Sequence, residues 1–357
     1  MNIDFHYGVT YVICRLAGLD KQQAQVVAHA SQYVDDATTK GLLTFEGGET
    51  FERFASAHVM MDFHNAIDDE NRVVWVPFHF LPGGEGETLE EKAVCKPDSP
   101  IAREIARRAI ERQGAENALH RLGVTLHTYI DTWAHQGFSG IVSDNNRLTS
   151  LEGDDHDHDT WKDALKSCVV KAGQIICANT ASTVSGLGHG AALHFPDMPW
   201  ASWTYTNVKN EKFVRNNLPD FIDAMDMACK VVQGFIHNNT NFTSEPGLAQ
   251  DAKQALQGMV ALNCDHDPEE RLKAFMTAVA EGQIPGLKEV IPTYIAKGEG
   301  SWKHKATGIT DVADGNEKPL WTASFEDSDY RKFHDAVKEH RFVVTQKILP
   351  SFNIRLA

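Results

Sequence analysis

The stretch Leu126-His127-Thr128-Tyr129-Ile130-Asp131-Thr132-Trp133-Ala134-His135-Gln136 sets an imidazole, a carboxylate and a second imidazole at intervals of four residues. On a helix a step of four drifts by only about 40°, so the three side chains share one strip. Helical proteins build metal sites from imidazoles and carboxylates on successive turns. His127 and His135 are separated by about 12 Å of helical rise, whereas a ligand bond is about 2 Å long. The two are too far apart to converge comfortably on one ion. The spacing therefore predicts a cluster in which Asp131 is shared between two ions and His135 serves a further one. A solvated helix face holding the same residues by chance is the competing reading. The apolar stripe Leu119, Leu122, Leu126, Ile130 and Trp133 places the triad at the flank of the buried face, which suits either reading.

A multinuclear site needs donors from elsewhere in the chain. Asp4 and His6 flank Phe5 near the N-terminus, and Asp35 and Asp36 end a helical stretch. An acid beside a metal acts as ligand or as general base. His79 stands between Phe78 and Phe80, where a core histidine is equally reasonable. His189, His194 and Asp197 fall in a segment dense in Gly, Pro and aromatic residues. Trp200, Trp203 and Tyr205 follow closely; they would wall a substrate pocket or pack as core. His58, Asp62 and His64 are near one another, which a helical surface explains as well as a donor set does, and the acidic and histidine run from Asp154 to Asp159 reads as a solvated loop or as the cap of the helix after it.

These residues must be positioned by helices. The first 35 residues read as helix broken near Gly18, and residues 49–70 as another helix. Val73-Val74-Trp75-Val76-Pro77-Phe78 reads as an extended run. A helix from Ile101 to His120 is opened by Asp98-Ser99-Pro100 and open to interruption at Gly114. Residues 144–160 read as loop, 160–178 as helix, and 183–207 as irregular. Further helices are expected at 217–237, 247–262, 268–282 and 328–348. The expected architecture is mainly α: a multi-helix bundle with long irregular loops, forming one metal-binding domain over 1–357. Residues 1–240 would be its metal-site core and 241–357 a helical C-terminal extension.

Composition bounds the function. Seventeen histidines supply the commonest metal-ligating side chain. A net charge of −15 argues against broad binding to duplex nucleic acid, which needs a basic surface. No apolar run approaches the roughly 18 residues of a membrane span. The N-terminal residues lack the pattern of a secretory signal. Six cysteines without a Cys-x-x-Cys pair fit a reducing cytoplasm and speak against a cysteine zinc site.

The order of the candidate donors resembles the zinc-dependent phospholipase C superfamily, which includes zinc-dependent single-strand nucleases. The matching positions are Phe5-His6, then Ala30-Ser31-Gln32-Tyr33-Val34-Asp35-Asp36, then Phe78-His79-Phe80-Leu81-Pro82, then His127 to His135, and a distal set from His189, His194 and Asp197. The likeness runs over roughly residues 3–200. It is also similar to an uncharacterised bacterial branch that carries this motif set. The resemblance implies a phospholipase C-like helical bundle with two or three Zn²⁺. His79, His127 and Asp131 would surround one ion, and His6 with a shared Asp131 a second. His135, His189 and either His194 or Asp197 would hold a third. Asp35 would be the base that orients water. Secreted members use a processed N-terminal amine as ligand; with a chain that begins Met-Asn, Asp4 is the expected substitute. The family also has members with wider spacing between the helical aspartate and the next histidine.

The function expected from this is hydrolysis of a phosphodiester, in a phospholipid or a nucleotide, by metal-activated water. A helical interaction protein with structural metal and a non-phosphate metallohydrolase are the alternatives. Structural sites are coordinatively closed and catalytic sites keep a position for water, which discriminates them.

Overall fold

The computed structural model describes residues 1–58, 68–153, 187–310 and 318–356. The run 154–159, the helix expected over 160–178, and Asp62 and His64 lie outside the described residues. The fold is mainly helical, as the periodicity predicts, and it also carries two small antiparallel sheets that the sequence reading does not foresee. A π-helical turn, Asp4–Val9, leads into α1, Thr10–Ala17. Gly18 ends α1 in the left-handed region with φ 115°, a conformation glycine adopts without strain. The helix α2, Lys21–Asp36, opens on a capping box between Asp20 and Gln23. After it, β1 (Gly41–Thr44) and β2 (Thr50–Arg53) form a hairpin in which Gly41 pairs Arg53 and Thr44 pairs Thr50.

The helix expected from residue 49 is thus corrected at its start: Thr50–Arg53 is a strand, turned by Gly48 at φ 94°. The extended run at 73–78 is corrected as well. It is the second half of α3, Asp68–Phe78, with Pro77 inside the last turn. The Pro77 carbonyl faces the ring of His340 at 2.9 Å, and Val74, Val76 and Phe78 are buried. Tertiary packing here overrides the preference of β-branched residues for strands.

A short helix α4, Leu89–Lys92, precedes α5, Pro100–Ile110, which is capped by Ser99 with proline at its first turn. The turn around Gly114 separates α5 from α6, Ala118–Ala134. The central packing is α6 against α2. A Cβ on Gly123 would lie 2.4 Å from the Val27 carbonyl oxygen and 2.6 Å from the Ala30 Cβ, so only glycine permits this approach. The second sheet is ordered β3 (Leu148–Gly153), β4 (Ser202–Asn207), β5 (Lys212–Asn216). Both 148–153 and 202–207 therefore depart from the expected loop and irregular segment. In β4, Trp203, Tyr205 and Asn207 alternate inward with exposed or half-buried Ser202, Thr204 and Thr206, the period of a half-buried strand.

Five further helices follow, α7 (Asn217–His237), α8 (Gln250–Leu262), α9 (Pro268–Glu281), the short α10 (Trp302–Thr307) and α11 (Asp329–Val343), besides single helical turns at Ala323–Glu326 and Leu349–Ser351. The C-terminal elements pack back on the N-terminal ones: α9 contacts the π-turn, and α11 contacts α6. Cys14, Cys95 and Cys229 are buried free thiols. Among the described residues no helix is long and apolar enough to cross a membrane.

Two buried histidines away from the metal ligands give the fold an acid limit. Burial holds His29, stacked 3.8 Å from Trp302, at a pKa of about 3, and His334 at about 3. An unfolded histidine titrates near 6.5. The folded value is depressed, so this stability is complete above about 6.5 and lost as pH falls toward 3. Each ring costs about 1.4 kcal/mol per pH unit in that window. These two rings alone should therefore make the protein at least about 3 kcal/mol less stable to urea at pH 5.5 than at pH 7.5, with buried His340 adding in the same direction, and a flat profile would contradict this account.

Candidate metal centre

Residues from five separate segments converge at the C-terminal half of α6. That helix contributes His127 and Asp131 from its inner face and His135 at its C-terminal cap. Asp35 comes from the last turn of α2, and His79 from the residue after α3. His6 lies on the π-turn, and His189 and Asp197 on the two 3₁₀ turns before β4. Three groups of potential donors result: His6, His127 and Asp131; Asp35, His79 and His127; and His135, His189 and Asp197.

Backbone carbonyls orient the imidazoles. His79 Nε2 lies 2.9 Å from the Ser56 carbonyl and His127 Nδ1 2.8 Å from the Ser31 carbonyl. His135 Nδ1 lies 2.7 Å from the His79 carbonyl, and His189 Nδ1 3.0 Å from the Leu193 carbonyl. A carbonyl only accepts, so each of these ring nitrogens carries the proton, and in a neutral ring the other presents a lone pair. His79 Nδ1 and His127 Nε2 consequently face each other, lone pair to lone pair, across 3.1 Å. Asp131 Oδ2 is 3.3 Å from His127 Nε2 and 3.5 Å from His79 Nδ1. Asp35 Oδ1 is 3.7 Å from each of the same two nitrogens. The edge of a tetrahedron with bonds of about 2.0–2.1 Å is about 3.4 Å. His79 Nδ1, His127 Nε2 and Asp131 Oδ2 stand at about that spacing, with Asp35 Oδ1 slightly farther from the two nitrogens.

The neighbouring donors repeat this mismatch. His135 Nε2 is 3.3 Å from Asp197 Oδ1, and His189 Nε2 is 3.5 Å from Asp197 Oδ2, each a lone pair set against a carboxylate oxygen. His6 Nε2 is 3.1 Å from Asp131 Oδ1, yet neither His6 nitrogen makes a hydrogen bond, and Asp131 Oδ2 makes none. The amine of Met1 lies 2.7 Å from Asp131 Oδ1 and 3.2 Å from Asp197 Oδ1. A positive group is thus lodged between two buried carboxylates. Nearly every donor is buried; the Asp35 side chain, 33% exposed, forms the open edge.

Electrostatics agree with geometry. Burial pushes His6, His127 and His189 down to about 4, so all three rings are neutral at pH 7, the state a ligand requires. For Asp131 and Asp197 burial acts upward. Around Asp131 the adjacent His135 and the Met1 ammonium outweigh it, and around Asp197 the ammonium and His189 do so, holding both well below the carboxylate range. Burial raises Asp35. The Met1 amine is driven up to about 11: burial opposes its charge, but Asp131 and Asp197 more than compensate. Buried anionic oxygen and neutral imidazole nitrogen is a donor set that fits a divalent cation.

Eight expected residues are therefore brought together: His6, Asp35, His79, His127, Asp131, His135, His189 and Asp197. Asp35, the expected base, lies in one group with His79 and His127. Asp4 is drawn elsewhere: Arg271 Nε and Nη2 donate to its two carboxylate oxygens at 2.9 and 3.1 Å. Asp36 accepts from the Tyr294 hydroxyl at 2.7 Å. His194 falls outside the three donor groups, its place taken by Asp197. Trp203 and Tyr205 are each 2% exposed and stack with Phe138 in the layer beneath the second sheet, so they pack as core. Trp200 is half-buried with its ring over the Arg271 guanidinium at 5.2 Å. The carbonyls that fix the ring tautomers, and Arg271, escaped the sequence reading. Backbone acceptors leave no residue signature, and nothing in spacing links Arg271 to Asp4 across the chain.

No curated protein and no solved structure matches this chain. Compared with known families, it matches one of unknown function over residues 1–348. With nearly the whole chain covered, the protein belongs to that family, DUF6765.

Proposed function

We propose that this protein is a zinc-dependent hydrolase, most economically a phosphodiesterase, built on a cluster of two or three ions. The observation that carries the reading is the pair His79 Nδ1 and His127 Nε2, lone pairs 3.1 Å apart with two carboxylates beside them. A cation shared between them, a metal ion or a proton, makes that arrangement favourable, and the adjacent carboxylates support the metal. Asp131 presents one oxygen to this pair and the other to His6, which supports its role as a bridge between ions.

Bound divalent zinc supplies acidity to water, lowering its pKa to about 7, and neutralises phosphodiester oxygens. The chain's own residues do the rest. The donors fall into groups of three residues, Asp35, His79 and His127 at the open edge and His135, His189 and Asp197 beside them. A three-ligand site keeps a position for water, as catalytic sites do. This supports hydrolysis over a purely structural metal. The carbonyls of Ser31, Ser56, His79 and Leu193 hold the rings in place, sparing reorganisation during reaction. The substrate side is the open edge at Asp35.

Metal removal tests the proposal. The purified full chain should carry two to three zinc equivalents by elemental analysis and hydrolyse bis(p-nitrophenyl) phosphate. Prolonged dialysis against a chelator should abolish turnover, and zinc should restore it. Folded protein that takes up no metal refutes the metal reading; metal without turnover on any phosphodiester favours the structural one.

A further inference from the structure

Arg271 is 1% exposed and sits on α9, in the C-terminal third, far in sequence from every donor of the metal centre. Its guanidinium grips Asp4 through two hydrogen bonds, of 2.9 and 3.1 Å. The same group donates to the Asp265 carbonyl at 2.7 Å and lies under the ring of Trp200. Asp4 is two residues before His6 on a single π-helical turn. Trp200 is three residues after Asp197, whose carbonyl lies 3.4 Å from Asn2 Nδ2. One cation therefore ties together the two segments that bring His6 and Asp197 to the centre.

No hydrogen bond on that turn fixes the His6 ring, which stacks on His127 with centroids 3.9 Å apart and faces Asp131 Oδ1 at 3.1 Å. Both of its nitrogens lack hydrogen-bond partners, whereas His79, His127, His135 and His189 are each held by a carbonyl. The seating of its backbone therefore sets how the ring meets His127 and Asp131. A bidentate guanidinium–carboxylate pair fixes both distance and orientation, and it does so here at the base of the turn.

We infer that Arg271 is a positioning residue of the metal centre: through Asp4 and Trp200 it sets His6 and Asp197, so α9 belongs to the site's outer shell. This rests on the metal-binding reading above. It also gives the C-terminal third a role in the chemistry that no motif announces.

Removing one partner of a buried ion pair leaves an uncompensated charge and threatens folding. The test therefore uses three proteins: wild type, Arg271→Lys, and the double variant Asp4→Leu/Arg271→Met, which replaces the pair by apolar groups of similar volume. Each full-length chain is stripped of metal, checked by circular dichroism, and titrated with Co²⁺ while its visible absorption is followed. Outer-shell changes typically weaken a metal about 10–100-fold. The expected result is that the double variant folds, keeps one class of Co²⁺ site at wild-type affinity, and loses about that much at another. Arg271→Lys should lie between, since an ammonium cannot make the paired contact. Wild-type affinity at every site in a folded double variant would overturn the inference while leaving the metal reading intact. Failure of the wild type itself to bind Co²⁺ would remove both.

Discussion

Asp131→Ala is expected to disable the centre more completely than any other single substitution. Its two oxygens face different donors, His79 and His127 on one side and His6 with the Met1 amine on the other. Losing the carboxylate removes a ligand from two groups at once and leaves lone pairs facing each other with less anionic charge to attract a cation. Phosphodiester turnover should fall by more than about a thousandfold, because water without a metal has a pKa near 15.7 and not near 7. Zinc content should drop by at least one equivalent. The same variant at Asp36, whose carboxylate is engaged by Tyr294 and Gln32, should retain its metal. Elemental analysis and initial rates on the three proteins decide the matter; an Asp131→Ala protein with full metal and full activity would contradict the assignment.

Gly123→Val attacks the same centre from the scaffold. The donors His127 and Asp131 ride on α6, and Asp35 and the Ser31 carbonyl ride on α2. The two helices approach so closely at Gly123 that a Cβ meets the Val27 carbonyl at 2.4 Å and the Ser31 amide at 3.0 Å. Backbone cannot yield as a flexible side chain does, so the helices must separate. Overpacking of this kind costs about 3 kcal/mol or more, readable as a lower urea midpoint of metal-free protein. Metal affinity should fall as well, since displacement of α6 stretches the His127 to Ser31 bond and the gap to Asp35. Gly123→Ala should be milder in both measures. Unchanged stability in the valine variant would show that the interface is looser than described.

The parts of this molecule that were legible in the sequence are those whose signal is local. His127, Asp131 and His135 announce themselves through helical spacing, and the capping residue Ser99 with Pro100 marks where α5 begins. The helix at 73–78 was hidden because Val, Trp and Phe favour strands in isolation, and what holds them helical is contact with α6 and α11. The strand at 202–207 was masked by the irregular turns before it, although Trp203 and Tyr205 do alternate with Thr. Trp203 and Tyr205 were open to two readings, and only burial under the sheet separates core from pocket wall. The Asp4–Arg271 pair depends on the path of the chain, which no local pattern encodes.

Anomalous diffraction at the zinc edge, from crystals of the full chain supplied with zinc, tests the central claim most directly. The account predicts a peak within about 2.0–2.2 Å of His79 Nδ1, His127 Nε2 and Asp131, and a second beside His135, His189 and Asp197. The contradictory result is a well-ordered centre with no peak in either place, the two facing imidazole nitrogens joined by a proton alone.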